Sequence, residues 1–189
     1  MTDTIATSNS TSCSSVLRRD KSGFSPAGTW KPTAEKRAGC VVFNQAGDSV
    51  LLVNSRRHGA LTHTIPSGKV EGFDQTLEAA AVRETLEEAG VMCTVMGDLG
   101  WFRSHDKSGS PKATRVFYGR CEKILDNWRE ERFRDRLWCT IPEAMALLGS
   151  DRPLYQMAIS MAHDVYIHTP MELLDLPNNA SSSTTDSQN

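Results

Sequence analysis

The 189-residue chain has no apolar run approaching the roughly 20 residues that span a bilayer, and its first fifteen residues hold no sustained apolar segment. No membrane partner and no secretory signal are expected, and the expected setting is cytoplasmic, with the nucleus as a second place. There is no Cys-x-x-Cys. The five cysteines stand at 13, 40, 93, 121 and 139, an odd and widely spaced set that argues against a zinc site or a disulfide framework. Cys40, Cys93, Cys121 and Cys139 lie in or beside apolar runs and read as small buried hydrophobes. An excess of either charge is also missing: 21 basic and 23 acidic side chains leave −2, which argues against a histone-like nucleic-acid binder but allows local patches of both signs. There is no internal repeat.

What is present is enough apolar material, 39%, to build a core. The two ends are poor in it. Residues 1–33 and the C-terminal 168–189 are polar and read as loosely attached tails, leaving a folded unit over 34–167. Within it, Arg37–Phe43 and Ser49–Asn54 read as strands around a turn at Asn44–Asp48. His63–Ile65 is extended and stopped by Pro66, and Ser67–Asp74 reads as a loop. A helix is expected near Gln75–Ala89, ended by Gly90. Val91–Phe102 and Thr114–Lys123 read as strands, and Glu143–Leu148 and Leu154–Tyr166 as helices. The mixture points to an α/β or α+β sandwich.

The helix near Gln75–Ala89 carries the most chemistry. At about 100° per residue, Ala79, Val82, Leu86 and Ala89 share one side and Glu84, Glu87 and Glu88 the other, with Leu77 falling on the acidic side. The expected packing therefore buries the apolar stripe and turns all three carboxylates outward. Carboxylates at i, i+3 and i+4 repel one another, and they sit in the last turns, where the helix dipole disfavours negative charge. A divalent cation would offset both, and hard oxygen ligands suit Mg²⁺ or Mn²⁺. A solvated acidic face with Arg83 as local counter-ion is the plainer alternative.

The surrounding spacing resembles the Nudix box: Gly, five residues, Glu, seven residues, then Arg-Glu-aliphatic-x-Glu-Glu-x-Gly-aliphatic. Here Gly68 is followed after five residues by Asp74 and after eight more by Arg83-Glu84-Thr85-Leu86-Glu87-Glu88-Ala89-Gly90-Val91. The departures are Asp for Glu, one extra residue before the arginine, and Thr85 for an aliphatic side chain. The resemblance implies an α/β/α sandwich with a mixed sheet, and hydrolysis of a diphosphate bond with Mg²⁺ or Mn²⁺. By position it implies Glu84 and Glu88 as metal ligands, with Glu87 a further ligand or the base. The Gly68 carbonyl joins them, and Arg83 holds a loop acid, Asp74 or Glu71, and orients the glutamates.

Other stretches resemble the diphosphoinositol polyphosphate phosphohydrolase branch, whose members also cleave diadenosine polyphosphates. They are Lys36–Cys40, Leu51–His58, Ile65–Gly68, Ile124–Trp128, Arg134–Trp138 and Asp151–Pro153. The resemblance implies that Lys36, Arg37, Ser55, Arg57, Arg136 and Arg152 hold substrate phosphates, and Lys69 adds a cation beside the box. Arg56, His58, Lys112 and Arg115 are further candidates. The four tryptophans, Trp30, Trp101, Trp128 and Trp138, are expected to be structural rather than base-stacking. The expected partner is a polyphosphorylated small molecule acting on a monomer. The alternatives are a Nudix hydrolase of the mRNA cap, the one nucleic-acid substrate considered, or of ADP-ribose or a nucleotide sugar, and a catalytically weak polyphosphate-binding module.

Overall fold

A computed structural model describes residues 35–55, 62–105 and 108–168. The expected tail over 1–33, the expected tail over 168–189 apart from His168, which is helical, and the candidates Arg56, Arg57 and His58 lie outside the described residues, as does the side chain of Ser55.

Among the described residues, seven strands form one sheet. Strand β1 (Glu35–Phe43) is its centre, because its apolar run Ala38–Phe43 is buried on both faces. Val41 and Phe43 point to one side and Ala38, Cys40 and Val42 to the other. Strand β2 (Ser49–Ser55) follows a turn that Asn44 closes, its Oδ1 accepting from the amides of Asp48 at 3.1 Å and Ser49 at 3.3 Å. Short strands β3 (Thr62–Thr64) and β4 (Ser67–Lys69) come next, then helix α1 (Leu77–Ala89). Two long strands, β5 (Val91–His105) and β6 (Pro111–Ile124), are followed by β7 (Arg136–Thr140), α2 (Ile141–Leu148) and α3 (Pro153–His168). The strand order is β3-β2-β1-β6-β5, with β4 on β1 and β7 on β2. Among the described strands only β1 and β6 run parallel, with Arg37 opposite Thr114; the sheet is mixed.

One apolar core lies between the sheet and α2/α3, around Val41, Phe43, Phe102, Val116 and Ile159. The other lies under α1, around Cys40, Val42, Leu51, Ala81 and Val91. The result is the expected α/β/α sandwich. Each fully buried Val, Ile or Phe in these layers contributes about 1.5–3 kcal/mol. No described helix is long and apolar enough to cross a membrane.

Two local expectations are corrected, and one strand, over Arg136–Thr140, was not anticipated. Ser67–Lys69, expected in a loop, is β4, because its backbone pairs with Arg37–Gly39 of β1. Arg136–Thr140 is a strand because it completes an edge beside β2. Helix α1 is rotated from the expected face: Ala80, Ala81, Thr85, Glu88 and Ala89 are buried, Leu77 packs on the core, and Ala79 and Leu86 face solvent. Small alanines let the helix sit close to the sheet, and Glu88 finds charged and amide partners there.

Candidate active site

Thr76 caps α1 through its hydroxyl, which accepts from the Ala79 amide at 3.0 Å. Gly90 ends the helix in the left-handed conformation, φ 64°, where its amide donates to the Leu86 carbonyl. These two ends fix the rotation that presents Glu84, Glu87 and Glu88 to the β4 backbone and to the segment before β7.

Arg83 organises the loop that precedes the helix. Its Nε donates to Asp74 Oδ1 at 2.9 Å and its Nη2 to Asp74 Oδ2 at 3.0 Å. Nη2 also donates to the Lys69 carbonyl at 3.0 Å, and Nη1 reaches Glu84 Oε1 at 2.7 Å and Glu87 Oε2 at 3.5 Å. Asp74 further accepts from the Glu71 amide at 2.8 Å. The loop acid held by Arg83 is therefore Asp74, and Glu71 contributes only its backbone. Arg83 beside it holds the Asp74 carboxyl below its ordinary value, and the same pairing raises the pKa of the guanidinium.

Glu84 rests on β4. A Cβ added to Gly68 would lie 2.0 Å from the Glu84 carboxylate, so only glycine leaves room for it. Burial pushes the Glu84 carboxyl up in pKa; Arg83 and, at longer range, Arg37 pull it down. Glu88 goes deeper, at 4% exposure. Its Oε2 accepts from the Ser67 amide at 3.0 Å and its Oε1 pairs with Arg134 at 2.5 Å. Burial outweighs the arginine, and the Glu88 carboxyl is pushed up to about 7. Glu87 is more open and pairs with Arg129 at 2.5 Å.

These residues present a hard-oxygen donor set. Glu84 and Glu88 converge on Gly68 and Ser67 from consecutive turns of one helix, and the missing Cβ of Gly68 leaves its backbone open to the Glu84 carboxylate. That chemistry fits Mg²⁺ or Mn²⁺. Among the described residues, however, no three or more His, Cys, Asp or Glu side chains are gathered into ligating positions. Arg83, Arg129 and Arg134 instead occupy the carboxylate oxygens, supplying the positive charge the cluster requires.

The basic candidates separate into two groups. Arg37 lies at the site: its Nη2 donates to the Ser67 carbonyl at 2.9 Å, and Glu35 takes its Nη1 at 3.2 Å. Lys36 is beside it on β1, its carbonyl accepting from Val70 at 3.0 Å, and Lys69 is exposed opposite Arg37. Arg152 lines a cavity of about 270 Å³ with Phe102, Ser104, Thr114 and Tyr155. Thr114 is the register partner of Arg37, so this cavity adjoins the basic end of β1 from the α3 side. Arg136 does not reach the site. Its Nη1 donates to the carbonyls of Ala89 at 3.0 Å and Leu125 at 2.7 Å, and its guanidinium lies 4.4 Å from the Trp128 ring centroid. Arg115 pairs with Asp98 and stacks near Trp101. Trp128 donates its indole N–H to the Glu88 carbonyl at 3.1 Å.

Arg134 and Arg129 were not among the expected site residues. A carboxylate buried on the inner side of α1 requires a counter-ion, and the Arg134–Trp138 stretch offers two arginines without indicating which one turns inward.

The family model for the NUDIX domain matches residues 33–158. The chain is 32% identical to diphosphoinositol polyphosphate phosphohydrolase 2 of Mus musculus over 124 residues, 64% of this chain and 66% of that relative's length. A NUDIX hydrolase structure from Nitrosomonas europaea superposes with a TM-score of 0.62 at 21% identity, covering 78% of this chain and 99% of that one. A binary complex of the C. elegans Ap4A hydrolase gives a TM-score of 0.54 at 22% identity, covering 68% and 98%. These last two likenesses concern the fold. On the match of the family model, together with the box residues on α1 and the loop before it, the chain belongs to the NUDIX hydrolase family.

Proposed function

We propose that this chain is a metal-dependent pyrophosphohydrolase that cleaves the diphosphate groups of diphosphoinositol polyphosphates, and also diadenosine polyphosphates. The observation that carries the reading is the meeting of opposite charges at one end of the sheet. Glu84 and Glu88 converge on Gly68 and Ser67, while Arg37 binds the Ser67 carbonyl and acts on the charge of Glu84. The 32% identity to a diphosphoinositol polyphosphate phosphohydrolase supports the substrate class.

A Mg²⁺ or Mn²⁺ ion held by Glu84, Glu88 and the Gly68 carbonyl would neutralise diphosphate charge and lower the pKa of a bound water. The protein's own residues do the rest. Arg83 fixes the loop and Glu84 in place. Glu87, the most exposed of the three glutamates, is available to take the water proton. Arg37, Lys36 and Lys69 meet the phosphates next to the cleaved bond, and Arg152 extends the basic rim through its cavity. Arginine grips phosphate oxygens in pairs, which a lysine cannot do. Residues 34–167 form the hydrolase domain in this reading, and it acts as a monomer on a small soluble substrate.

The test is phosphate release with Mg²⁺ from diphosphoinositol pentakisphosphate, diadenosine hexaphosphate, ADP-ribose and capped RNA in parallel. The first two should be cleaved, and Glu84→Gln or Glu88→Gln should lower turnover at least about a hundred-fold in a folded protein. Activity confined to ADP-ribose or cap overturns the substrate class. Tight polyphosphate binding with no turnover identifies a binding module instead.

A further inference from the structure

Each glutamate of the site is met by an arginine, but the arginines are not held alike. Glu87 is bound at both oxygens: Arg83 lies 3.5 Å from Oε2 and Arg129 lies 2.5 Å from Oε1. Arg83 is also fixed by two bonds to Asp74, one to the Lys69 carbonyl and one to Glu84, and its side chain is 18% exposed. Arg134 is fixed by two carboxylates, Glu88 at 2.5 Å and Glu130 at 2.6 Å, and is 19% exposed. Arg129 has Glu87 alone among the described residues, and its side chain is 71% exposed.

We propose that Arg129 is an exchangeable counter-ion. In the metal-free protein it neutralises Glu87, and once a divalent cation is bound it turns from Glu87 to a phosphate of the diphosphate substrate. This role rests on the carboxylate site being that of a diphosphate hydrolase.

The bonding assigns the exchange to this arginine. The Arg129 guanidinium covers Oε1, the Glu87 oxygen that Arg83 leaves open. For Glu87 to receive a water proton or a metal ion, one of the two guanidinium groups has to withdraw. Arg83 would strain four other hydrogen bonds in doing so, and Arg129 would break none. A bound divalent cation adds two positive charges beside Arg83, Arg129 and Arg134 and repels all three. An exposed pair in water is weakly held, so the arginine with one partner is the one that leaves.

The backbone does not have to follow. Both neighbours of Arg129 are tied to α1. The Trp128 indole N–H donates to the Glu88 carbonyl at 3.1 Å, and the Glu130 amide donates to the Glu87 carbonyl at 3.1 Å. Arg129 is thus a long side chain pivoting on a fixed Cα at the rim of the site. Its Nη1 meets Glu87 at one oxygen, whereas a phosphate offers the planar fork two. Arg37, Lys36 and Lys69 come from β1 and β4, and Arg129 comes from the segment before β7, so the diphosphate is held from two separate parts of the chain.

The test uses the full chain as wild type, as Arg129→Met and, to control for net charge, as Arg132→Met, an exposed arginine of the same segment. Mn²⁺ binding without substrate is read by electron paramagnetic resonance. Arg129→Met should bind Mn²⁺ about two- to five-fold more tightly than Arg132→Met, the effect of removing one exposed ion pair. Calorimetry in saturating Mg²⁺ then measures methylenediphosphonate, a diphosphate mimic with no cleavable bridge. Here Arg129→Met should bind about ten-fold more weakly, and the difference should shrink at high salt. Tighter metal together with looser diphosphate is the signature of the exchange. Arg129→Met that matches Arg132→Met in both measurements overturns it. Tighter Mn²⁺ with unchanged mimic binding overturns it as well, because Arg129 would then only mask Glu87. Failure of the wild type to bind the mimic overturns the hydrolase reading beneath it, which separates that failure from the other two.

Discussion

Arg83 binds Asp74 through two parallel hydrogen bonds, Nε to Oδ1 at 2.9 Å and Nη2 to Oδ2 at 3.0 Å, and the aspartate side chain is only 3% exposed. The shorter acid and the extra residue before Arg83 thus still end in a closed pair. Lysine offers a point charge in place of this planar fork. Arg83→Lys should cost about 2 kcal/mol of stability and lower turnover as well, because Glu84 and Glu87 lose the same guanidinium. Urea unfolding and steady-state kinetics on one preparation check both halves. Full stability in Arg83→Lys would show that the pair does not hold the loop.

Two carboxyls in the site give opposite pH dependences. Glu88 is raised from 4.5 to about 7 in the folded chain. The folded state therefore binds the proton more tightly than the unfolded state. Its contribution to stability is complete below about 4.5 and is lost as pH rises through 7. In the presence of a chelator, stability should fall between pH 5 and pH 8 by up to about 3 kcal/mol, and Glu88→Gln should flatten that slope. Mg²⁺ should restore stability at the alkaline end. Asp74 is depressed below 3.8, so its contribution holds above that value and is lost on acidification. Thermal melts across pH, with and without Mg²⁺, read both limbs.

Gly68→Ala places a methyl group 2.0 Å from the Glu84 carboxylate. The carboxylate is at the end of a flexible side chain and can swing aside, so the fold survives while the ligand geometry does not. Turnover should drop at least about ten-fold, with a matching rise in the Mg²⁺ concentration needed. Stability should change by less than about 1 kcal/mol. A large loss of stability with a normal metal requirement would contradict this account.

Arg136 and Arg37 should separate in their responses. Arg136→Met removes two hydrogen bonds to carbonyls and a ring contact. It should destabilise by about 2 kcal/mol and leave the salt dependence of KM unchanged. Arg37→Met should do the reverse, raising KM and flattening its dependence on ionic strength. KM measured at several salt concentrations, beside unfolding curves, distinguishes a structural cation from a phosphate-binding one.

The contrast between these arginines shows what the sequence could reveal. The order of the longer strands and of the helices was legible because hydrophobic period and turn residues are local signals, and the box residues on α1 were legible because their spacing is fixed. The rotation of α1 was not. Ala79, Ala80, Ala81 and Ala89 are too alike to favour one face, and the decision falls to Glu88, whose partners Ser67 and Arg134 lie far away in the chain. For the same reason β4 was missed: Ser67–Lys69 has no strand propensity of its own and is extended because β1 pairs with it. Arg134 and Arg136 sit in one short motif, and only the tertiary structure shows that the first faces Glu88 while the second binds the end of α1.

The pairing of β1 also sets a timetable for synthesis. Its N-terminal half has no partner until β4 pairs with Arg37–Gly39 and β6 with residues 35–43. A chain emerging from the ribosome must therefore hold the apolar segment Ala38–Phe43 unshielded on one edge until Ile124 has been made. Long-range pairings of this kind are slow to form and leave unpaired edges exposed meanwhile. The cleft between Gly68 and Glu84 rests on that scaffold and matures late, so a nascent chain cut short before β6 is a candidate for chaperone capture rather than a partial enzyme.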